Sequence, residues 1–190
     1  GTGAQGVWGH NGSGGQDGRL LTAYLSSQNY RVVGMERTRV TGLNTRKPAI
    51  ALDDRDAIAS LVEEITPQEV YYLAAFDHSS SEAPGDRDAL FAASKAVHCD
   101  GLENVLAAMR RHAPSARLFY ASSCMVFGAP KTAPQNEECE IAPNSIYAET
   151  KAMGMEIIKR ARRVDELHCA SGILYNHESA LRDSRFVIPR

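Results

Sequence analysis

Apolar positions along this chain alternate between short, near-continuous runs and longer stretches spaced three and four residues apart. After a glycine-rich opening, Leu20, Leu21, Tyr24 and Leu25 recur at helical spacing. Arg31 to Glu36 then reads as a strand. Polar residues run to Pro48, and Ile50 to Leu52 predicts a second short strand. Ala57 to Ile65 has a helical period and stops before Thr66 and Pro67, because a residue preceding proline avoids the helical conformation. Glu69 to Ala75 is apolar almost throughout, which suits a strand buried on both faces. Ser79 to Arg87 is a polar loop holding Pro84 and Gly85. Asp88 to His112 predicts one long helix with Gly101 inside it. Arg117 to Ala121 is another buried-type strand, Gly128 to Ser145 a loop, Tyr147 to Val164 a helix, and His168 to Tyr175 a strand.

Apolar strands alternating with helices predict an α/β fold: a Rossmann-type, doubly wound parallel sheet with helices on both faces. A glycine-rich turn followed by a helix and a strand is the order of a dinucleotide-binding half. Residues 1–190 are therefore read as one NAD(P)-binding domain. The first strand is the weak point. Only Val7 and Trp8 stand between Gly6 and Gly9, where a central strand should be longer and more apolar.

Composition narrows the function classes. A chain of 190 residues, 43% hydrophobic and 23% charged, has the make-up of a globular domain and not of a disordered one. Its 21 basic and 23 acidic residues give a net charge of -2, which argues against a broad basic surface for nucleic acid. No apolar run reaches the length of a membrane span, and no charged-then-apolar leader is visible, so a cytoplasmic location away from membranes is expected. Cys99, Cys124, Cys139 and Cys169 lie far apart without zinc-type spacing, which predicts reduced thiols and no metal site. His177 and Glu178 are adjacent on a strand and would point to opposite faces, so they do not make a metal pair.

Gly9, Gly12, Gly15 and Gly18 fall at intervals of three. Such a turn lets the backbone approach a pyrophosphate, and the following helix offers free N–H groups to it. Gln16 and Asp17 lie within the turn. Glu36 at the end of the Arg31–Glu36 strand would accept from an adenosine ribose and favour NAD, whereas Arg37 would pair with a 2′-phosphate and favour NADP. Both are present, so either cofactor fits. Asp53, at the end of the Ile50–Leu52 strand, is placed for the adenine edge.

Tyr147 and Lys151 stand one helical turn apart on one face. A phenol with an ordinary pKa of about 10 is a poor base near neutrality, and a neighbouring ammonium favours its ionised form. The lysine also suits the hydroxyls of a nicotinamide ribose. Ser122 and Ser123, just beyond the Arg117–Ala121 strand, stand where a hydroxyl could complete proton delivery.

These segments together resemble the extended short-chain dehydrogenase/reductase family, and within it the GDP-mannose 4,6-dehydratase branch. The resemblance is carried by Gly15 to Gly18 with the following Arg-Leu-Leu, by Glu69 to Ala75 with His78, and by Phe119 to Ser123 with Phe127 and Gly128. Pro143 to Tyr147 with Lys151 adds to it, as does Gly172 to Ser179 with Arg182, Phe186 and Val187. It implies Ser123 as the relay hydroxyl, Tyr147 as acid/base and Lys151 as its partner. Gly12, Gly15, Gln16, Asp17, Gly18, Leu73, Ala74 and Ala75 would line the cofactor, and Arg37 would meet an NADP phosphate. Ser122, Asn176, His177, Glu178 and Arg182 would face a nucleoside-diphosphate sugar, GDP-mannose being favoured, and residues 173–190 would open the substrate-contact segment. A homo-oligomer is compatible with the helix-rich surface.

Two departures bear on activity. Dehydratases of this branch carry an acidic residue shortly after the relay hydroxyl, but Cys124 and Met125 occupy those positions here. A reductase or epimerase needs only the hydride and the Ser/Tyr/Lys relay, so those activities gain. Glu137, Glu138 and Glu140 follow in the next loop as the remaining carboxylates. The chain also stops at Arg190, short of the branch's C-terminal portion, so the substrate domain is expected to be largely absent. A non-catalytic NAD(P)-binding regulatory module is the reading from another class.

Overall fold

The computed structural model describes residues 4–8, 15–36, 39–44, 47–76, 86–129, 133–177, 179 and 181, with backbone alone for 4–8. The chain runs through β1 (Ala4–Trp8), α1 (Gln16–Ser27), β2 (Arg31–Met35), β3 (Arg39–Thr41) and β4 (Lys47–Pro48). It continues through α2 (Arg55–Ile65), β5 (Glu69–Tyr72) and α3 (Arg87–Lys95). A π-helical segment (Ala96–Asp100) joins α3 directly to α4 (Gly101–His112). Then follow β6 (Arg117–Ser123), a 3₁₀ turn (Cys124–Phe127), α5 (Ile146–Arg163) and β7 (His168–Leu174).

The strands form one sheet in the order β4-β3-β2-β1-β5-β6-β7. β2, β1, β5, β6 and β7 are parallel, and the pairs β2–β3 and β3–β4 are antiparallel. β1 to β2 steps one way across the sheet, while β5 to β6 and β6 to β7 step the other. Right-handed crossovers then put α1 on one face and α2, α4 and α5 on the opposite face. The contacts agree: α2 packs on α4 and α4 on α5, while α1 packs on β2. The result is the expected Rossmann-type arrangement.

The core forms where α2 and α4 meet the sheet. Ile58, Leu61, Val62 and Ile65 make one buried stripe, and Leu102, Val105, Leu106 and Met109 make the matching one. Each side chain at this spacing faces inward, and each contributes about 1.5–3 kcal/mol by leaving water. Val70, Tyr72, Leu118 and Tyr120 cover the sheet beneath them.

The structure corrects five expectations. Ile50 to Leu52 is not a strand; Leu52 packs into the core, its carbonyl accepts from Asn104 Nδ2 at 2.7 Å, and Asp54 then caps α2. The apolar residues there serve the entry of a helix. Two short polar strands, β3 and β4, make the sheet edge instead, so the sheet is not parallel throughout. β1 has five residues and pairs on both sides despite its glycines. The strand β5 stops at Tyr72, leaving Leu73 to Ala75 irregular. On α1 the inward stripe is Gly18, Leu21, Thr22 and Leu25, so Leu20 and Tyr24 are exposed.

The π segment has a structural counterpart. Its widened turn leaves carbonyls to outside donors, and two stacked core tyrosines supply them. Tyr72 donates to the Val97 carbonyl at 2.6 Å and Tyr120 to that of His98 at 3.5 Å. Burial pushes both phenols up, so they remain donors. Gly101 and Gly154 let these rings in: a Cβ at Gly154 would stand 2.2 Å from the Tyr120 hydroxyl, and one at Gly101 2.8 Å from that of Tyr72. Gly154→Ala is therefore expected to destabilise the fold by about 1–3 kcal/mol, although alanine is the better helix former. Urea unfolding midpoints check this.

Candidate functional site

α5 begins at Ser145, whose hydroxyl accepts from the Ala148 N–H at 3.2 Å and fixes where the first turn starts. That start sets Lys151 on the same inward stripe as Gly154, Ile158 and Ala161. Its ammonium is driven toward the sheet at 1% exposure. There Lys151 Nζ donates to the Ala121 carbonyl at 2.8 Å and to the Ala74 carbonyl at 3.2 Å. It also lies 5.2 Å from the Tyr120 ring centroid and 5.7 Å from that of Tyr147. Burial pushes the Lys151 ammonium down to about 7. A charge is thus held at the C-terminal ends of β5 and β6, the edge where doubly wound sheets bind ligands.

Tyr147 sits in the first turn of α5, half-buried, with the His98 ring meeting its own at 5.2 Å and 89°. His98 is fully buried. Its Nε2 accepts from the Phe76 N–H at 3.0 Å, and its Nδ1 stands 2.7 Å from Thr150 Oγ1. Ser94 Oγ stands 2.8 Å from the same hydroxyl. Burial first, and then the Lys151 charge, push the His98 imidazole down to about 2, so it is neutral.

Ser122 and Ser123 end β6. Ser122 is 3% exposed, and its hydroxyl is a buried polar group without a hydrogen-bond partner. Ser123 is half-buried and accepts from the Met125 N–H at 3.3 Å, capping the 3₁₀ turn. That bond uses a lone pair and does not commit the hydroxyl hydrogen. Cys124 is half-buried and Met125 exposed, so the two positions after Ser123 present a thiol and a thioether. Glu137, Glu138 and Glu140 are exposed, and Glu137 and Cys124 both lie close enough to Tyr175 to help raise its phenol, after desolvation.

The N-terminus of α1 is capped by Gly15, and among the described residues no side chain caps its N–H groups. Gln16 and Asp17 turn toward the segment that follows β7. His177 Nε2 and Asp17 Oδ1 are 2.8 Å apart, Ser179 donates to Gln16 Oε1 at 2.8 Å, and Gln16 Nε2 donates to the His177 carbonyl at 3.3 Å. The glycine turn and the segment after β7 are therefore joined. Asn176 lies in that segment, exposed. Glu36 follows β2 and pairs with Arg39 at 3.2 Å, a partner that the sequence reading did not single out. Asp53 is exposed in the turn before α2, not at a strand end. Ala74 is buried and holds Lys151 through its carbonyl, with Leu73 and Ala75 half-buried beside it. Gly12, Arg37, His78, Glu178 and Arg182 lie outside the described residues.

His98, Thr150 and Ser94 are the members that sequence reasoning missed as part of the site. Thr150 directly precedes Lys151, but nothing in the sequence ties it to a histidine 52 residues away. Cys99 and Cys169 are buried, and Cys124 and Cys139 half-buried. Among the described residues no cluster of three or more His, Cys, Asp or Glu side chains could hold a metal, and no helix is long and apolar enough to cross a membrane. An open hollow of about 710 Å³ lined by Glu69, Arg117, Phe119 and His168 lies at the opposite, N-terminal ends of β5 to β7, away from Lys151.

Comparison with known proteins matches this geometry to a family. The profile of the GDP-mannose 4,6 dehydratase family matches residues 11–190. GDP-mannose 4,6 dehydratase of Drosophila melanogaster is 28% identical over 197 residues, covering 91% of this chain and 47% of that protein. GDP-mannose 4,6-dehydratase of Yersinia enterocolitica is 30% identical over 197 residues, covering 91% of this chain and 50% of the other. The chain spans about half the length of the curated relatives it matches. Among solved structures, RMD from Pseudomonas aeruginosa complexed with NADPH superposes with a TM-score of 0.76 at 22% identity, covering 98% of this chain and 58% of that one. A short-chain dehydrogenase/reductase superfamily protein from Agrobacterium tumefaciens with bound NAD gives 0.68 at 28% identity, covering 90% and 48%. The chain belongs to the GDP-mannose 4,6 dehydratase family.

Proposed function

We propose that this chain is the cofactor-binding half of an enzyme that modifies a nucleoside-diphosphate sugar by hydride transfer at the sugar C4, using NAD or NADP. The observation that carries the reading is the buried Lys151 ammonium beside the Tyr147 ring at the C-terminal ends of β5 and β6. One feature fits a nicotinamide dinucleotide: among the described residues no side chain caps the N-terminus of α1, as a pyrophosphate site requires. The Asp17 carboxylate would oppose an anion there, and it is turned to His177, its Oδ1 2.8 Å from Nε2.

Gly12, Gly15, Gln16, Asp17 and Gly18 would receive the pyrophosphate, Glu36 and Arg37 the adenosine ribose, and Asp53 the adenine edge. Leu73, Ala74 and Ala75 would line the crevice, and Lys151 would hold the nicotinamide ribose hydroxyls. The bound dinucleotide supplies a hydride acceptor or donor. Tyr147 exchanges the proton of the C4 oxygen, Lys151 favours its ionised form, and the Ser123 hydroxyl bonds to that same oxygen. Ser122, Asn176, His177, Glu178 and Arg182 would face the sugar diphosphate. GDP-mannose is the favoured substrate because the relatives are named for it.

Cys124 and Met125 support a second reading, a 4-keto-sugar reductase or an epimerase. Expelling the 6-hydroxyl needs a carboxylic acid after the relay serine, and neither residue supplies one. The mass of the product separates the activities. GDP-mannose incubated with NAD or NADP and the chain would lose one water in a dehydratase and keep its mass in an epimerase. A 4-keto sugar incubated with NADH or NADPH would gain two hydrogens in a reductase, as hydride from the dinucleotide and a proton. Dinucleotide binding with no reaction on either substrate would leave a binding module.

A further inference from the structure

The buried histidine beside the site has a determined bonding state. His98 Nε2 faces the Phe76 N–H, which can only donate, so Nε2 carries no proton. The neutral ring then has its hydrogen on Nδ1, which donates to Thr150 Oγ1 at 2.7 Å. Thr150 passes its own hydrogen to the Ile146 or Tyr147 carbonyl at 3.0 or 3.1 Å, and Ser94 can donate to the same oxygen. Every polar atom of the ring is therefore satisfied, and its orientation is fixed from both ends. One end is the irregular segment after β5, the other is the first turn of α5. The ring held in this way is the one that meets Tyr147 edge-to-face.

We propose that His98 is a positioning residue for Tyr147: its imidazole, pinned between the Phe76 N–H and Thr150, fixes the Tyr147 ring beside Lys151 and joins the segment Leu73–Phe76 to the start of α5. This role rests on the reading of Tyr147 as the acid/base. Without the imidazole, the Tyr147 ring gains room to tilt and the Phe76 N–H loses its acceptor. His98 itself touches no reacting atom and exchanges no proton.

Nitrogen-15 labelling of the histidines in the full chain tests the arrangement, with the His98 signals identified by their loss in His98→Gln. A neutral ring protonated at Nδ1, unchanged between about pH 5 and pH 9, is expected. A ring protonated at Nε2, or one that titrates in that range, would overturn the proposal. Single-turnover hydride transfer from GDP-mannose to bound NADP, followed as the transient nicotinamide absorbance before the hydride returns to the sugar, tests the role. His98→Gln keeps an acceptor for Phe76 but loses the ring, and is expected to lower the rate constant about tenfold to a hundredfold. The Kd for NADP and the KM for GDP-mannose should stay within about twofold. Thr150→Val keeps the ring but breaks its anchor, and is expected to lower the rate about threefold to tenfold. If His98→Gln fails to fold, Thr150→Val decides. A folded variant with the wild-type rate would overturn the role of His98 alone. A wild-type chain that binds the dinucleotide yet transfers no hydride either from GDP-mannose to NADP or from NADPH to a 4-keto sugar would remove the assignment of Tyr147, and the role of His98 with it.

Discussion

Lys151→Met is expected to abolish turnover and at the same time to stabilise the fold. The ammonium of Lys151 is fully buried and faces two carbonyls and two aromatic rings, and among the described residues no carboxylate pairs with it. Methionine has a similar length and carries no charge. Removing a buried charge is commonly stabilising when a well-packed apolar chain replaces it, and a gain of about 1–3 kcal/mol is expected at pH 6 after the two carbonyls lose a donor. The pH dependence has a definite sign. Burial pushes the folded ammonium down to about 7, from an ordinary value of 10.5. Below pH 7 both folded and unfolded chains carry the charge, and the penalty of burying it is fully present. Between pH 7 and about 10.5 the unfolded chain binds the extra proton, so wild-type stability rises with pH and the gap to the variant narrows. Urea unfolding at pH 6 and pH 9 measures both points. A variant less stable than wild type at pH 6 would contradict the account of the buried charge. Turnover should fall by about 10²–10⁴, the worth of a positioned acid/base and its activating cation.

Tyr147→Phe is expected to separate chemistry from binding. The ring remains, so the edge contact with His98 and the approach of Lys151 remain. Only the hydroxyl that would exchange the C4 proton is lost. Turnover should fall by about 10³ or more, while dinucleotide affinity stays within about twofold, because Lys151 and the α1 N-terminus are untouched. A phenylalanine variant that retains turnover would exclude Tyr147 as the acid/base. The contrast with Lys151→Met is informative: that variant should alter stability and its pH dependence, which Tyr147→Phe leaves to the intact lysine.

How far the sequence reveals this arrangement depends on how local the signal is. The stripes Ile58–Leu61–Val62–Ile65 and Leu102–Val105–Leu106–Met109 are visible as spacing, and both are buried against the sheet. The four-residue step from Tyr147 to Lys151 is equally visible, because one helix sets it. The strands β3 and β4 are not, since Arg39 to Thr41 and Lys47–Pro48 lie at a sheet edge and need no apolar run. Ile50 to Leu52 misleads in the other direction, because three apolar residues suffice to seat the entry of α2. The His98–Thr150 link is hidden for a different reason. A histidine within an apolar helix looks like packing, and only the tertiary fold brings it to Phe76 and Thr150. The π segment that exposes the Val97 and His98 carbonyls to Tyr72 and Tyr120 likewise has no local signature beyond Gly101.

The central claim is that the crevice at the ends of β5 and β6 binds a nicotinamide dinucleotide and sets Tyr147 to work beside it. Calorimetric titration of the wild-type chain and of Tyr147→Phe with NAD and NADP, followed by single-turnover mixing with GDP-mannose, or with a 4-keto sugar and the reduced dinucleotide, and transient nicotinamide absorbance, tests it most directly. Equal affinities in the micromolar range, about −8 kcal/mol, are expected for the preferred dinucleotide, with hydride transfer in the wild type alone. A wild-type chain that binds neither dinucleotide at millimolar concentration, about −4 kcal/mol, would contradict it.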